Sequence, residues 1–226
     1  MLRVGGLTPL SATDYPGELA AVVYCQGCPW RCRYCHNPHL LPGRAADGIA
    51  WSAVLEFLRR RRGLLDAVVF SGGEPTAQPG LARAMRAAKA LGYRIGLHSA
   101  GIYPQRFAEV LPLADWVGFD AKAPFDAVYE RITGVRASGE AALASARALL
   151  ASGVECEFST TWHAGFLSHA ELDRLTRTLA DLGVRRYALQ EFRASGCLAF
   201  RPEGNAAAAD LDALARRFPQ FSLRRA

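Results

Sequence analysis

Short apolar runs alternate with helical patterns along most of this chain. Six of these runs are predicted β-strands, at residues 19–25, 66–73, 93–99, 115–122, 154–160 and 185–192. Strands that alternate with helices form parallel sheets, because each crossover helix covers one face of the sheet. The pattern therefore predicts an α/β fold. The strand spacing by itself leaves open whether the sheet is doubly wound or forms an incomplete barrel.

The segments between the strands carry signals for helix ends. Ser168 and Glu171 form a capping-box pattern before Leu172. Three glycines follow helical patterns and are predicted to end those helices: Gly92, Gly153 and Gly183. No internal repeat or low-complexity linker interrupts the pattern. We therefore expect one domain over residues 1–226, with a short C-terminal helix and tail from about Ala206 onward.

The chain is basic, with a formal net charge of +6 at pH 7. A run of four arginines, Arg59 to Arg62, follows an apolar helical pattern and precedes Gly63. Cations are favourable in the last turn of a helix, and such charge runs are commonly solvated. We interpret the run as a helix end rather than a nucleic-acid surface, and we expect no nucleic-acid partner.

The sequence shows no membrane or export signal. No apolar run approaches the roughly 20 residues that cross a bilayer. The first residues lack the basic start, apolar core and cleavage site of a signal peptide. These features predict a cytoplasmic protein without a membrane partner. Because that compartment is reducing, clustered cysteines are expected to bind metal or act in redox chemistry rather than form disulfides.

Four of the six cysteines lie in the stretch "CQGCPWRCRYCHNP", residues 25–38, with the spacing C-x2-C-x3-C-x2-C. Four close thiolates suit a tetrahedral zinc ion. Cys25 ends an apolar strand, where a small thiol packs well in a core. Without it, Cys28, Cys32 and Cys35 remain on one tight loop, and three thiolates suit a 4Fe-4S cluster with one iron left open. The spacing alone leaves both metal sites possible.

The C-x3-C-x2-C spacing with an aromatic residue, Tyr34, before the last cysteine resembles the signature of the radical S-adenosylmethionine superfamily. The resemblance implies that Cys28, Cys32 and Cys35 bind a 4Fe-4S cluster, with S-adenosylmethionine as the second cofactor. It also implies the fold, an α/β partial (β/α)6 barrel that is open on one side. Such an opening would admit a loop of a folded protein.

Two further motifs follow predicted strands. "FSGGEP" contains Gly72, Gly73 and Glu74. The adjacent glycines are expected to let backbone approach a ligand closely, although the stretch alone indicates a plain strand-to-helix turn. It resembles the superfamily's Gly-Gly-Glu, which is implied to bind the amino group of S-adenosylmethionine. "FDAK" places Asp120 and Lys122 on the same side of a strand end. The pair resembles the D-x-K of glycyl-radical-activating enzymes, implied to contact the carboxylate and ribose of the cofactor. A surface ion pair is the alternative interpretation.

The remaining predicted cofactor-binding residues come from the resemblance. "LHSAG" places His98 where the family has an acidic residue that helps to hold a monovalent cation. A neutral imidazole is a poor ligand for such an ion. His98 is therefore expected to hydrogen-bond the cofactor or to pack. Ser99 keeps a hydroxyl. Tyr34 and His36 are implied to contact the adenine side. Gln190 in "LQEFRASG" occupies the position of a further cofactor contact.

Residues 5–41 resemble most specifically the activating proteins of anaerobic ribonucleoside-triphosphate reductase, through "SATDYPG" and "QGC-x3-C-x-YCHNP". The resemblance implies an iron-sulfur oxidoreductase that cleaves S-adenosylmethionine to a 5′-deoxyadenosyl radical and generates a glycyl radical on a partner enzyme. A flavodoxin-like protein is the implied electron donor. Two alternatives stay open: a radical enzyme for a small molecule, similar to a deazapurine synthase, and a zinc-stabilised binding module.

Overall fold

A computed structural model describes residues 1–44, 47–197 and 209–225. Within these ranges eight strands form a single sheet, and their order in the sheet is their order in the chain. The strands are β1 (Val4–Ser11), β2 (Ala20–Cys25), β3 (Ala67–Gly72), β4 (Arg94–Ser99), β5 (Trp116–Asp120), β6 (Glu155–Trp162), β7 (Arg186–Glu191) and β8 (Gln220–Arg224).

Seven α-helices accompany the strands: α1 (Trp51–Arg60), α2 (Leu81–Ala90), α3 (Pro104–Val110), α4 (Ala127–Thr133), α5 (Ser138–Ser152), α6 (His169–Asp181) and α7 (Leu211–Arg217). The predicted capping box at the start of α6 is confirmed, because the Ser168 and Glu171 side chains each bond the other's backbone N–H. Gly153 takes a left-handed conformation at the end of α5. Local sequence signals therefore set these helix ends.

The strand order distinguishes a partial barrel from a doubly wound sheet. β1 pairs antiparallel with β2, and each later strand pairs parallel with the strand before it. A doubly wound sheet would reverse its order at a switch point, and this sheet does not. β1 and β8 do not pair with each other within the described residues. The expected partial barrel, open on one side, is confirmed.

The six predicted strands are confirmed as β2 to β7, and the two outermost strands were missed. β1 contains two glycines and Pro9, which weaken a strand prediction but are tolerated at a sheet edge, where one row of backbone groups needs no partner. The C-terminal helix is confirmed as α7, while its predicted start at Ala206 lies outside the described residues. The predicted tail is wrong over Gln220–Arg224, because these residues pair with β7.

The concave face of the sheet changes in polarity along the strands. Toward the amino ends of the strands it is filled by apolar side chains, including Val22, Val69 and Trp116, against which Tyr15 packs. Toward the carboxyl ends the inward residues are polar, such as Ser71 and Asp120. Because functional loops lie at the carboxyl ends of barrel strands, this polar end is the candidate site. Within the described ranges, every helix is too short or too polar to cross a bilayer.

Candidate functional site

A cavity of about 280 Å³ opens at the carboxyl ends of the strands. Every residue that the sequence pointed to as a metal ligand or cofactor contact lines this cavity: Cys28, Cys32, Tyr34, Cys35, His36, Gly72, Gly73, Glu74, His98, Ser99, Asp120, Lys122 and Gln190. They come from the loop after β2 and from β3, β4, β5 and β7. The fold therefore brings the predicted site residues together, while their individual roles stay predictions.

The three predicted cluster ligands lie on residues 26–41, which we call the cysteine loop. Arg31 and Arg33 donate backbone N–H groups to the carbonyl oxygens of residues 133 and 132 at 2.8 and 3.1 Å. The Arg31 guanidinium also donates to the carbonyl of Cys28 at 2.8 Å. All six cysteines are free thiols. Cys25 is fully buried at the end of β2 and does not line the cavity, as its position in an apolar strand predicted.

Two of the three loop thiols, Cys28 and Cys32, lie in surroundings that favour the protonated form. Burial raises the pKa of Cys28 to about 12, with a contribution from the Glu74 carboxylate, and burial raises the pKa of Cys32 to about 11. Ligation as thiolates thus needs a cationic group that displaces the protons. Soft thiolates on one loop suit iron–sulfur chemistry.

The arrangement of donors also bears on the zinc alternative. Among the residues described, no three His, Cys, Asp or Glu side chains converge closely enough to hold one metal ion. A four-iron cluster takes each thiolate on a different iron, so its ligands need not converge on one point.

Gly72, the last residue of β3, and Gly73 allow the end of β3 to pack closely against the end of β2 and the cysteine loop. Gly72 has a φ of +109°, and a Cβ at this position would lie 2.4 Å from the backbone nitrogen of Cys25. A Cβ on Gly73 would lie 2.5 Å from the carbonyl oxygen of Gly27. We expected these glycines to let backbone approach a ligand. The structure shows that Gly72 lets the end of β3 approach the end of β2, and that Gly73 lets it approach the cysteine loop at Gly27.

Glu74 and Ser99 form one hydrogen-bonded unit that joins the ends of β3 and β4. Glu74 Oε1 accepts from the Ser99 hydroxyl at 2.8 Å and from the Thr76 hydroxyl at 2.6 Å. Oε2 accepts from the backbone N–H of Ala100 at 3.1 Å. Burial raises the pKa of Glu74 despite these hydrogen bonds, which lower it. With one bond at Oε2, the carboxylate keeps capacity for a further donor from the cavity.

Asp120 and Lys122 form an ion pair inside the cavity, so the surface-pair interpretation is wrong. The Lys122 ammonium contacts Asp120 Oδ2, and Lys122 is only 8% exposed. Burial lowers the pKa of Lys122, but Asp120 and its other neighbours outweigh that effect and raise the pKa well above its usual value. Asp120 Oδ1 and the Tyr34 hydroxyl are buried without a hydrogen-bond partner. Because buried polar atoms are normally paired, these two indicate a polar ligand.

His98 packs beneath the cavity and ties the N-terminal "SATDYPG" segment to β4. Its Nε2 donates to the carbonyl oxygen of Asp14 at 2.8 Å, and its ring lies edge-on to Trp116 with 5.2 Å between centroids. Burial lowers the pKa of His98, so the imidazole is neutral. A Cβ on Gly118 would lie 2.6 Å from its Nδ1. The expectation that His98 packs is therefore supported. Sequence reasoning missed the contact between His98 and the N-terminal segment at Asp14.

Sequence reasoning missed two aromatic residues beside the cysteine loop, Phe166 and Phe192. Tyr34 stacks on Phe166, and His36 stacks on Phe192. Both partners come from loops after later strands, more than a hundred residues along the chain. Gln190, by contrast, lies where expected, and its Oε1 accepts from the Thr161 hydroxyl at 3.3 Å.

Comparisons with known proteins identify the family of the chain. The model of the radical SAM superfamily matches residues 22–167. A protein of Methanocaldococcus jannaschii named as a glycyl-radical enzyme activating enzyme is 29% identical over 84% of this chain and 79% of its own length. The pyruvate formate-lyase-activating enzyme of Clostridium pasteurianum is 32% identical over 59% of this chain and 58% of its own.

A solved structure supports the fold. Streptococcus suis SuiB bound to S-adenosylmethionine superposes with a TM-score of 0.70 at 15% identity. The superposition covers 91% of this chain, which spans about half of SuiB, namely 49% of its length. At this identity the likeness shows the fold alone.

Proposed function

The chain belongs to the radical S-adenosylmethionine superfamily, and from this we propose that it is an activating enzyme that generates a glycyl radical on a partner enzyme. Membership of the family means that a 4Fe-4S cluster and S-adenosylmethionine are its cofactors. The observation that carries the proposal is a cavity in which three thiols on one loop face buried charged groups and two unpaired polar atoms. The similarity to proteins named as a glycyl-radical enzyme activating enzyme and a pyruvate formate-lyase-activating enzyme adds to it.

The cavity residues fit both cofactors. Cys28, Cys32 and Cys35 would hold the cluster. The amino-acid end of S-adenosylmethionine carries an ammonium and a carboxylate, and the cavity offers Glu74 to the first and Lys122 to the second. The Tyr34 hydroxyl and Asp120 Oδ1 would gain hydrogen-bond partners, which removes the cost of burying them unpaired.

The protein's own contribution is orientation and exclusion of water. Cys28, Cys32 and Cys35 would hold a cluster that would supply one electron to S-adenosylmethionine. The chemistry so supplied would be cleavage to methionine and a 5′-deoxyadenosyl radical, able to take a hydrogen atom from a glycine Cα of the partner. Asp120 holds Lys122 charged and in place. The Glu74–Ser99 unit holds the ends of β3 and β4 at the cavity. No general acid or base is required for this reaction.

The partner, the electron donor and the setting are also part of the proposal. The open side of the barrel suits a loop of a folded protein. The N-terminal motif favours anaerobic ribonucleoside-triphosphate reductase as that partner, and we propose a flavodoxin-like donor. Because the thiols must stay reduced, the protein would act in the cytoplasm. We further propose that residues 1–226 form one domain.

The experiment that tests the proposal starts with the cluster. Anaerobic iron and sulfide analysis of the reconstituted protein should give about four irons per chain, and the electron paramagnetic resonance spectrum of the reduced protein should change when S-adenosylmethionine is added. The reductase from the same organism is then added, and a glycyl radical signal is expected. A cluster that cleaves the cofactor without a radical on the reductase would favour a small-molecule or different protein substrate. Stoichiometric zinc without iron would favour the binding module.

A further inference from the structure

The cysteine loop is covered on one side by aromatic rings from two distant loops. Phe166 lies between β6 and α6, and Phe192 directly follows β7. Tyr34 stacks on Phe166 with 4.7 Å between ring centroids, and His36 stacks on Phe192 at 5.6 Å. Phe166 and Phe192 meet edge to face at 5.6 Å. These four rings form a continuous aromatic wall, and its two members in the cysteine loop flank Cys35.

The segment that follows β7 adds polar and close backbone contacts to the same part of the loop. His36 Nε2 donates to the carbonyl oxygen of Arg193 at 2.8 Å. The Cys197 thiol lies 3.6 Å from the carbonyl oxygen of Arg33. A Cβ on Gly196 would lie 3.2 Å from the carbonyl oxygen of His36. Residues 192–197 thus lie directly against residues 33–36.

Three of the four rings in the wall are buried, although part of the loop that they cover is at the surface. Tyr34, Phe166 and Phe192 are 3%, 4% and 9% exposed, whereas Arg31 and Arg33, earlier in the same loop, are exposed. Tyr34 also lies beneath the Lys122 ammonium, which is 5.6 Å from its ring centroid. The position of Cys35 is therefore set by rings that the cysteine loop does not itself supply.

We propose that Phe166 and Phe192 are positioning residues for the iron–sulfur cluster. They act through Tyr34 and His36, hold Cys35 at the cavity, and keep water from that side of the cluster. The inference rests on the proposed function, since it requires Cys35 to be a cluster ligand. It extends that function by assigning the retention and the redox behaviour of the cluster to two residues outside the cysteine motif.

Two physical consequences follow when either ring is removed. A loop with one stack fewer opens more often, so the cluster is lost to a competing chelator more quickly. The potential of an iron–sulfur cluster depends on its exposure to solvent. Reduction adds a negative charge to a cluster that three thiolates already make anionic, and water stabilises that charge. Better access of water should therefore raise the reduction potential.

The test uses the reconstituted full chain and the variants Phe166→Leu and Phe192→Leu, which keep apolar bulk and lose the ring. Iron release to bathophenanthroline disulfonate is followed anaerobically, and the midpoint potential is measured by a titration monitored by electron paramagnetic resonance. Each variant should still bind the cluster. Each should release iron about two- to tenfold faster than the wild type, which is the range that the loss of one aromatic stack implies. The midpoint potential should rise.

Phe218→Leu is the matched control. Phe218 is buried and stacks on Tyr187 at 4.6 Å, with no ring contact to the cysteine loop in the described parts of the chain. This variant should release iron at the wild-type rate, and Phe192→Tyr, which keeps the ring, should restore slow release. The inference is overturned if both leucine variants match the wild type in rate and potential, or if Phe218→Leu accelerates release as much. The iron-release rate and the midpoint potential are both measured without the partner enzyme. A missing glycyl radical on that enzyme would therefore contradict only the proposed function.

Discussion

Replacing Gly72 by alanine tests whether the glycine is required for packing between the ends of β2 and β3. At Gly72 an added Cβ would lie 2.4 Å from Cys25 N and 2.7 Å from Cys25 O. Both are backbone atoms, so no flexible side chain can give way. Gly92 is the matched control, because its φ of +93° is also positive while a Cβ there would meet nothing within 4 Å.

The two variants separate the cost of backbone conformation from the cost of the clash. A left-handed conformation costs an alanine roughly 1–2 kcal/mol, and both variants incur it. Gly72→Ala must in addition move backbone, and forced packing of this kind costs about 1–3 kcal/mol. We therefore expect a loss in free energy of unfolding of about 1–2 kcal/mol for Gly92→Ala and about 2–5 kcal/mol for Gly72→Ala.

The assay is urea unfolding of the metal-free, reduced proteins, followed by circular dichroism. Metal-free protein is chosen because cluster binding would add its own stabilisation to the folded state. The urea concentration at the unfolding midpoint should be highest for the wild type, lower for Gly92→Ala and lowest for Gly72→Ala. The slope of the free energy against urea concentration should be unchanged. Equal midpoints for the two variants would refute the steric argument, and would mean that β2 and β3 can separate at this point without cost.

Three further results are expected. Cys32→Ala should abolish iron binding, whereas Cys25→Ala should retain about four irons per chain; equal loss in both, measured by iron analysis, would contradict the assignment of three ligands. Lys122→Met should leave Asp120 half-buried without its cation and cost about 1–3 kcal/mol, less than a fully buried pair would; calorimetry should also show weaker binding of S-adenosylmethionine, and unchanged affinity would exclude Lys122 from that site. Burial lowers the pKa of His98, so the unfolded chain binds the proton more readily and stability should fall as the pH drops below about 6.5. His98→Gln should flatten that part of the pH profile, and an unchanged profile between pH 5.5 and 7.5 would count against a buried neutral imidazole.

Much of the candidate site was predictable because its residues are marked by local patterns. The spacing of Cys28, Cys32 and Cys35 is a feature of one short loop. Asp120 and Lys122 are two positions apart at the end of an apolar run, so they face the same way in any strand. Parallel strands bring such ends to one edge of a sheet, and the cavity lies at that edge.

The interpretation of the same residues changed when their surroundings became visible. From the sequence a surface ion pair is an alternative interpretation of Asp120 and Lys122, and the burial of Lys122 argues against it. The sequence predicts that Gly72 and Gly73 let backbone approach a ligand, whereas in the structure their missing side chains make room for the backbone of residues 25 and 27. A sequence pattern can show that a position needs a small or charged residue. Which neighbouring residues cause that requirement depends on packing in the folded protein.

Local sequence patterns are enough to predict the alternation of strands and helices, the loop that carries the thiols and the residues at the strand ends, since each depends on neighbours within a few positions. The folded chain is needed to reveal the edge strands β1 and β8, the bond between His98 and the carbonyl of Asp14, 84 positions apart, and the contact of His36 with the segment at Arg193, 157 positions apart. Such contacts depend on how far the sheet curls and on which loops then meet across it. That curvature is a property of all the strands together, so no single stretch of sequence contains it.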